Sequence, residues 1–250
     1  MSALSVDYLA NYWSLPEVAV NLLIILNLAG ALLLGLVVGY ERSYHGRAAG
    51  MRTYGMVCMA SAALTVFSGY PEYWYGGHYA GGEAIDPTRV IQGIVTGIGF
   101  LGAGLIMKDG MSISGLTTAA SIWSSSAIGV LVGVGFYGAA ILLTLISAGL
   151  MMWGSLLESR LPSRPAIAIV LRFAAGFVKP DEEVLRRIAR ERGYVIAGGS
   201  FAVNFEQGQL EWRFVAVAID GQKSARITEM ADELSRIEGV AKFQMSHARN

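Results

Sequence analysis

Apolar residues gather into five long runs over the first 160 positions, at 18–40, 53–69, 87–107, 116–133 and 137–157, with short polar breaks between them. Each is near the length at which an α-helix crosses the hydrocarbon of a bilayer, about 20 residues. Beyond residue 165 the pattern changes. Ile167, Ile169, Leu171 and Phe173 alternate with the opposite face of a strand. Residues 180–183 (PDEE) then open a helix with acids in its first turn, where they favour the helix dipole, and that helix pairs Glu182 with Arg186 and Glu183 with Arg187. Two strands follow, at 194–205 and 209–220, around a turn at Gln207-Gly208. A helix with Ile227, Met230, Ala231, Leu234 and Ile237 on one stripe comes next, then a last strand carrying Ala241, Phe243 and Met245.

The predicted fold is therefore an α-helical membrane bundle of five transmembrane helices at 1–160, a linker at 161–165 (LPSRP), and an α+β domain at 166–250. The order βαββαβ makes that domain ferredoxin-like, of ACT type.

Composition sharpens the division. The chain of 250 residues is 54% hydrophobic and 15% charged. Residues 1–157 hold 5 Lys/Arg and 7 Asp/Glu, against 14 and 12 in the remainder, so a membrane half precedes an ordinarily charged soluble half. The net charge of zero gives no reason to expect nucleic acid as a partner. Residues 1–19 carry Asp7 and Glu17 but no Lys or Arg, so the first run is expected to be a retained helix. Arg42, Arg47 and Arg52 crowd the first break, and Arg160 and Arg164 follow the fifth run. The loop at 70–87 has acids and no Lys or Arg. Because basic loops stay in the cytoplasm, the amino terminus is expected outside, in the periplasm, and the carboxyl-terminal domain in the cytoplasm. Tyr70, Tyr73, Trp74, Tyr75 and Tyr79 read as an interfacial aromatic belt.

The run from Gly93 to Trp123 is read as two spans folded back on each other around Lys108, Asp109 and Gly110. Gly93, Gly97, Gly99, Gly102 and Gly104 are expected to let the backbones approach closely, so that leucine at Gly97 or Gly102 pushes helices apart. Ser112, Ser114, Thr117, Thr118, Ser121, Ser124, Ser125 and Ser126 need partners on neighbouring helices. Asn21 and Asn27 are expected to make interhelical hydrogen bonds, and Cys58 to be a buried small hydrophobe.

No residue set assembles a catalytic site. The three histidines are scattered, and HExxH, CxxC and the P-loop motif are missing. Glu72, Glu83 and His78 are too dispersed on a glycine-rich loop for a dedicated cation site. No cofactor is expected. Charges gather instead at the run ends: Glu41, Arg42, Arg52, Lys108 and Asp109 on the cytoplasmic side, Asp86 and Arg89 on the outer one. They serve either as topology anchors or as an ion-paired cluster, Glu41 with Arg42 or Arg52, that locks span ends or docks a partner.

The segments GLVVGYER (35–42), AGMRT (49–53), DPTR (86–89), GIGFLGAGLI (97–106) and GLTTAASIW (115–123) together resemble the MgtC/SapB family of bacterial inner-membrane proteins, over about residues 20–156. The resemblance implies five spans in the cytoplasmic membrane and a non-enzymatic regulator that supports growth at low magnesium and survival inside host phagocytes. It implies a membrane or cytosolic protein partner, with ATP synthase as one candidate. The family's motif positions fall here on Glu41, Arg42, Arg52, Thr53, Asp86, Arg89, Thr117 and Thr118. A magnesium or other cation transporter or channel is the alternative. Membrane lipid surrounds the bundle, and the ACT-like tail is expected to favour a homodimer.

Overall fold

The computed structural model describes residues 10–47, 49–77, 86–109, 112–160, 164–174, 181–206, 208–220 and 224–247. The chain forms two compact units. One comprises Met1–Ile106 and Gly115–Ser155, the other Met107–Ser114 and Leu156–Asn250.

Long helices build the first unit. Helix α1, Leu15–Tyr44, starts at Ser14, whose hydroxyl accepts from the Glu17 amide, and has proline in its first turn. Helix α2 covers Met51–Gly69, and α3 covers Pro87–Leu105 behind the N-cap Asp86. Helix α4, Leu116–Val134, lies between Gly115 and Gly135, both in the left-handed region. A Cβ on Gly115 would also stand 1.9 Å from the Leu105 carbonyl oxygen, so no other residue fits there. Helix α5 covers Tyr137–Arg160. Among the described residues, four segments are long and apolar enough to cross a membrane: α1, α3, α4 and Tyr137–Gly154 of α5. Helix α2 is not among them, because it carries Arg52, Tyr54, Ser61, Thr65 and Ser68 along its length.

Helix α2 nevertheless occupies the centre of the packing, against α1 on one side and α4 on the other. A Cβ on Gly35 of α1 would stand 2.7 Å from the Tyr54 carbonyl oxygen, and one on Gly39 would stand 2.7 Å from the Met51 Cα. On the other flank, a Cβ on Gly129 of α4 would reach 2.1 Å from the Cys58 carbonyl oxygen, and one on Gly133 would reach 2.6 Å from the Thr65 Cβ. Both GxxxG pairs thus press a helix backbone onto α2. Tyr54, Cys58 and Ala62 are fully buried between them.

This corrects the expectation for the glycine-rich arm. Within one chain, a Cβ on Gly93, Gly97, Gly99 or Gly104 of α3 meets nothing within 4 Å, and one on Gly102 makes an ordinary 3.7 Å contact with the Ala119 Cβ. Only Ile94 and Ile98 of α3 are buried. The arms α3 and α4 are adjacent in sequence, but of the α3 glycines only Gly102 approaches α4. Leucine at Gly97 therefore has room inside the chain. The connection between the arms is a short antiparallel ladder, β1 (Met107–Asp109) with β2 (Ser112–Ser114), pairing Met107 with Ser114 and Lys108 with Ile113. Gly110 lies outside the described residues.

The second unit carries an antiparallel sheet. In chain order it has β3 (Ala166–Phe173), α6 (Glu182–Glu191), β4 (Tyr194–Ile196), β5 (Ala202–Glu206), β6 (Gln209–Ala218), α7 (Ile227–Ser235) and β7 (Val240–His247). The spatial order is β4-β6-β3-β7, with β5 also on β6. The expected strand at 194–205 is broken into β4 and β5, yet both pieces pair with β6. Between them the chain turns through Gly199 at φ +81°, and the Ser200 hydroxyl accepts from the Val215 amide. One sheet face and the two helices bury Ile167, Ile169, Leu171, Phe173, Leu185, Trp212, Phe214, Met230 and Leu234. Helix α6 starts at Asp181 and carries the Glu182–Arg186 pair; Glu183 has no ion-pair partner among the described residues. The turn residue Gln207, Pro180 and linker residues 161–163 lie outside the described residues.

Candidate functional site at the helix ends and the hydroxyl seam

The last turn of α1 brings two charges inside. Arg42 Nε lies 3.1 Å from Glu41 Oε2, and both side chains are about nine-tenths buried. Neighbouring residues on a helix point in different directions, so this pair misses hydrogen-bond alignment, and neither Glu41 Oε2 nor Arg42 Nε has a hydrogen-bond partner among the described residues. His45 closes the group, with Nδ1 3.1 Å from both the Glu41 carboxylate and the Glu41 carbonyl oxygen. Behind the pair the chain turns tightly into α2, where the Ser43 hydroxyl accepts from the Met51 amide at 2.8 Å.

From Tyr54 a seam of hydroxyls runs between α2 and α4. Tyr54 Oη is hydrogen-bonded to Ser121 Oγ, and Ser121 in turn donates to the Thr118 carbonyl. Ser125 Oγ donates to the Tyr54 carbonyl at 3.0 Å, and Ser61 and Ser126 share a bond of 2.8 Å. Further along, Thr65 donates to the Ser61 carbonyl and Ser68 to the Thr65 carbonyl. All these hydroxyl-bearing residues are buried. Around the seam, Tyr137 Oη of α5 donates to Asn27 Oδ1 of α1 at 2.7 Å, and Ser124 and Ser147 join α4 to α5 at 3.0 Å. Asn21 instead bonds within its own helix, donating to the Glu17 carbonyl.

The expected site residues divide accordingly. Glu41 and Arg42 come together, while Arg52 is exposed and makes no ion pair among the described residues; Thr53 and Thr117 are exposed and Thr118 is buried. At the start of α3, Asp86 accepts from both the amide and the hydroxyl of Thr88, at 2.9 and 2.6 Å. Those bonds, helped by Arg89 at 3.9 Å, hold its carboxyl below the usual carboxylate range. Arg89 is exposed. His78 and Glu83 lie outside the described residues, and no cluster able to hold a metal ion occurs among the described ones. The partners on α2, namely Tyr54, Ser61 and Thr65, went unnamed in the sequence reading. Ser61, Thr65 and Ser68 at i, i+4 and i+7, with Tyr54 two turns before Ser61, form the one stripe that was the available signal.

In the second unit a cleft of about 240 Å³ is lined by Arg172, Asn204, Glu206, Gln209, Glu211 and Arg213. Its buried centre is Glu211, which accepts from Arg172 on β3 and from Arg213, so its carboxyl stays below the usual range.

A protein-family model described as the MgtC family matches residues 28–160, more than half of the chain. Protein MgtC of Brucella abortus (strain 2308) is 45% identical over 117 residues, 47% of this chain and 45% of that protein. Protein MgtC of Salmonella typhimurium (strain 14028s / SGSC 2262) is 42% identical over 124 residues, 49% of this chain and 48% of that protein. The chain spans about half the length of the curated relatives it matches. No solved structure matches.

Proposed function

Because the chain belongs to the MgtC family, we propose that it is a regulatory protein of the bacterial cytoplasmic membrane that supports adaptation to scarce magnesium and survival inside host cells. It acts by binding a partner protein, and ATP synthase is the first partner to test. It carries out no catalysis. In this reading α2 is the remaining span of a five-helix bundle. Its low apolarity is tolerable because α1 and α4 cover its polar stripe. The basic breaks favour an amino terminus outside and a sheet domain in the cytoplasm, and the strand order β4-β6-β3-β7 supports reading that domain as ACT-like.

The observation that carries the proposal is the closed hydrogen bonding of the bundle interior. Tyr54 with Ser121, Ser61 with Ser126, and Asn27 with Tyr137 satisfy one another, so these groups are engaged in holding helices together rather than poised around an ion. The charged end of α1 and the exposed Arg52, Thr53 and Thr117 supply the surface for a partner. The test is magnesium flux into proteoliposomes holding the purified, folded protein alone, paired with crosslinking in cells from Arg52 and Thr117. Absent flux together with a specific crosslinked protein supports the regulator. Saturable flux that falls when Glu41 or Asp86 is neutralised replaces it with a cation path.

A further inference from the structure

The face of α3 turned away from the bundle poses an unsolved physical problem. Gln92 lies five residues into a helix apolar enough to cross a membrane, about 7.5 Å below its start, and it is exposed. Its side-chain amide has no hydrogen-bond partner among the described residues. Thr96, one turn on, is exposed as well but satisfies itself by donating to the Gln92 carbonyl at 2.8 Å. Lipid tails offer an amide nothing, so a helix surface carrying one calls for a protein neighbour.

The neighbouring ridge has the shape for one. Gln92, Thr96 and Phe100 follow each other at i+4, and Phe100 is among the most exposed side chains of the chain. Beside that ridge runs a groove floored by Gly93 and Gly97, with Gly104 two turns on, and a Cβ added at any of the three would meet no other part of the chain within 4 Å. Ile94 and Ile98, which do pack inside the chain, form the ridge on the far side of the groove.

We propose that α3 pairs with the α3 of a second copy of this chain, the Gln92–Thr96–Phe100 ridge of each copy lying in the Gly93–Gly97 groove of the other. A second copy is selected over other occupants by complementarity. An amide is donor and acceptor at once, so two Gln92 side chains related by a twofold axis satisfy each other reciprocally. Both copies share one orientation in the membrane, so the helices run parallel and their starts coincide. There Asp86 and Arg89 make only a loose 3.9 Å contact within the chain, both well exposed, and each can reach its opposite charge on the other copy. The twofold thus matches an amide to an amide, a ridge to a groove and an acid to a base.

Single cysteines test this in the full-length protein in native membranes. The native Cys58 is fully buried and serves as a silent background. Oxidation is expected to give disulfide-linked dimers from T96C, G97C and F100C, and none from V95C on the flank of α3 or from L142C and L145C on exposed α5. Equal linkage at the control positions, or none at 96, 97 and 100, overturns the proposal. So does linkage of G97C to a different protein in place of itself. In detergent, Gly97→Leu and Gln92→Leu are expected to leave the packing inside the chain intact, because a Cβ at Gly97 meets nothing within 4 Å and the Gln92 side chain is exposed. Each is expected to weaken self-association measured by energy transfer between labelled copies, by about tenfold for Gly97→Leu. An unchanged equilibrium in Gly97→Leu overturns the proposal even if both variants are well folded. The readout is self-association, so its failure is separate from any failure of the regulatory reading.

Discussion

Gly129 of α4 lies directly over Cys58 of α2, so close that a Cβ added to Gly129 would stand 2.1 Å from the Cys58 carbonyl oxygen. That oxygen belongs to a helix backbone and cannot swing aside as a side chain end can. Gly129→Ala is therefore expected to force α4 off α2 and to destabilise the protein by about 3 kcal/mol, the upper end for overpacking a filled core. Gly30→Ala in α1, where a Cβ meets nothing within 4 Å, is the matched control and is expected to be neutral or slightly stabilising. Thermal unfolding of the two variants in the same detergent, followed by size-exclusion, measures the difference. Equal melting temperatures would show that the two helices are not pressed together there.

The Ser61–Ser126 bond is fully buried between the same two helices. A double-mutant cycle with Ser61→Ala and Ser126→Ala is expected to return a coupling of about 0.6 kcal/mol, the usual size for a hydroxyl bond between membrane helices. A coupling of zero, with both singles still destabilising, would mean that each hydroxyl has another partner.

How far these relationships could be read from sequence depends on what each residue type can signal. Apolar run lengths locate α1, α3, α4 and α5 to within a few residues, because crossing hydrocarbon demands length and apolarity together. Glycine is ambiguous. Gly35, Gly39, Gly129 and Gly133 press against α2, whereas a Cβ on Gly93, Gly97 or Gly104, equally helical in spacing, would meet no other part of the chain within 4 Å. Spacing reveals a smooth face but not what meets it. Sequence adjacency misled for the same reason: α3 and α4 form a hairpin, yet the hydroxyls of α4 bond across to α2. In the sheet domain the alternation of Ile167, Ile169 and Leu171 exposed the core side of β3. The break between β4 and β5 at Gly198–Gly199 stayed hidden, because both pieces continue on the same partner, β6.

Glu211 is expected to make the sheet domain sensitive to acid. Hydrogen bonds from Arg172, and then from Arg213, hold its carboxyl below the ordinary value of 4.5. A carboxyl depressed in the folded state contributes fully above its unfolded value, and that contribution is lost as pH falls from 4.5 through the folded value. Protection of the amides in the paired strands β3 and β6, measured against the intrinsic exchange rate at each pH, is expected to fall over that window in the full-length protein. In Glu211→Gln protection is expected to be lower at neutral pH and flat across the window. A wild-type profile as flat as the variant's would place the acid-sensitive group elsewhere.

The Glu41–Arg42 pair distinguishes structure from function at the charged end of α1. Both side chains are about nine-tenths buried, so removing Glu41 leaves Arg42 charged and unpaired in the interior, and removing Arg42 leaves Glu41 with His45 alone. Glu41→Ala is expected to cost about 3 kcal/mol or more, and Arg42→Ala a similar amount. Neutralising both with volume kept, as Glu41→Gln with Arg42→Met, removes the stranded charge and is expected to recover most of the lost stability. Growth at low magnesium is then measured for the double variant, with the amount of protein in the membrane as the reference. A protein present at wild-type levels that still fails to support growth makes the charges themselves part of the work. Full growth makes them a lock on the end of α1, and the partner surface then falls to the exposed Arg52, Thr53 and Thr117.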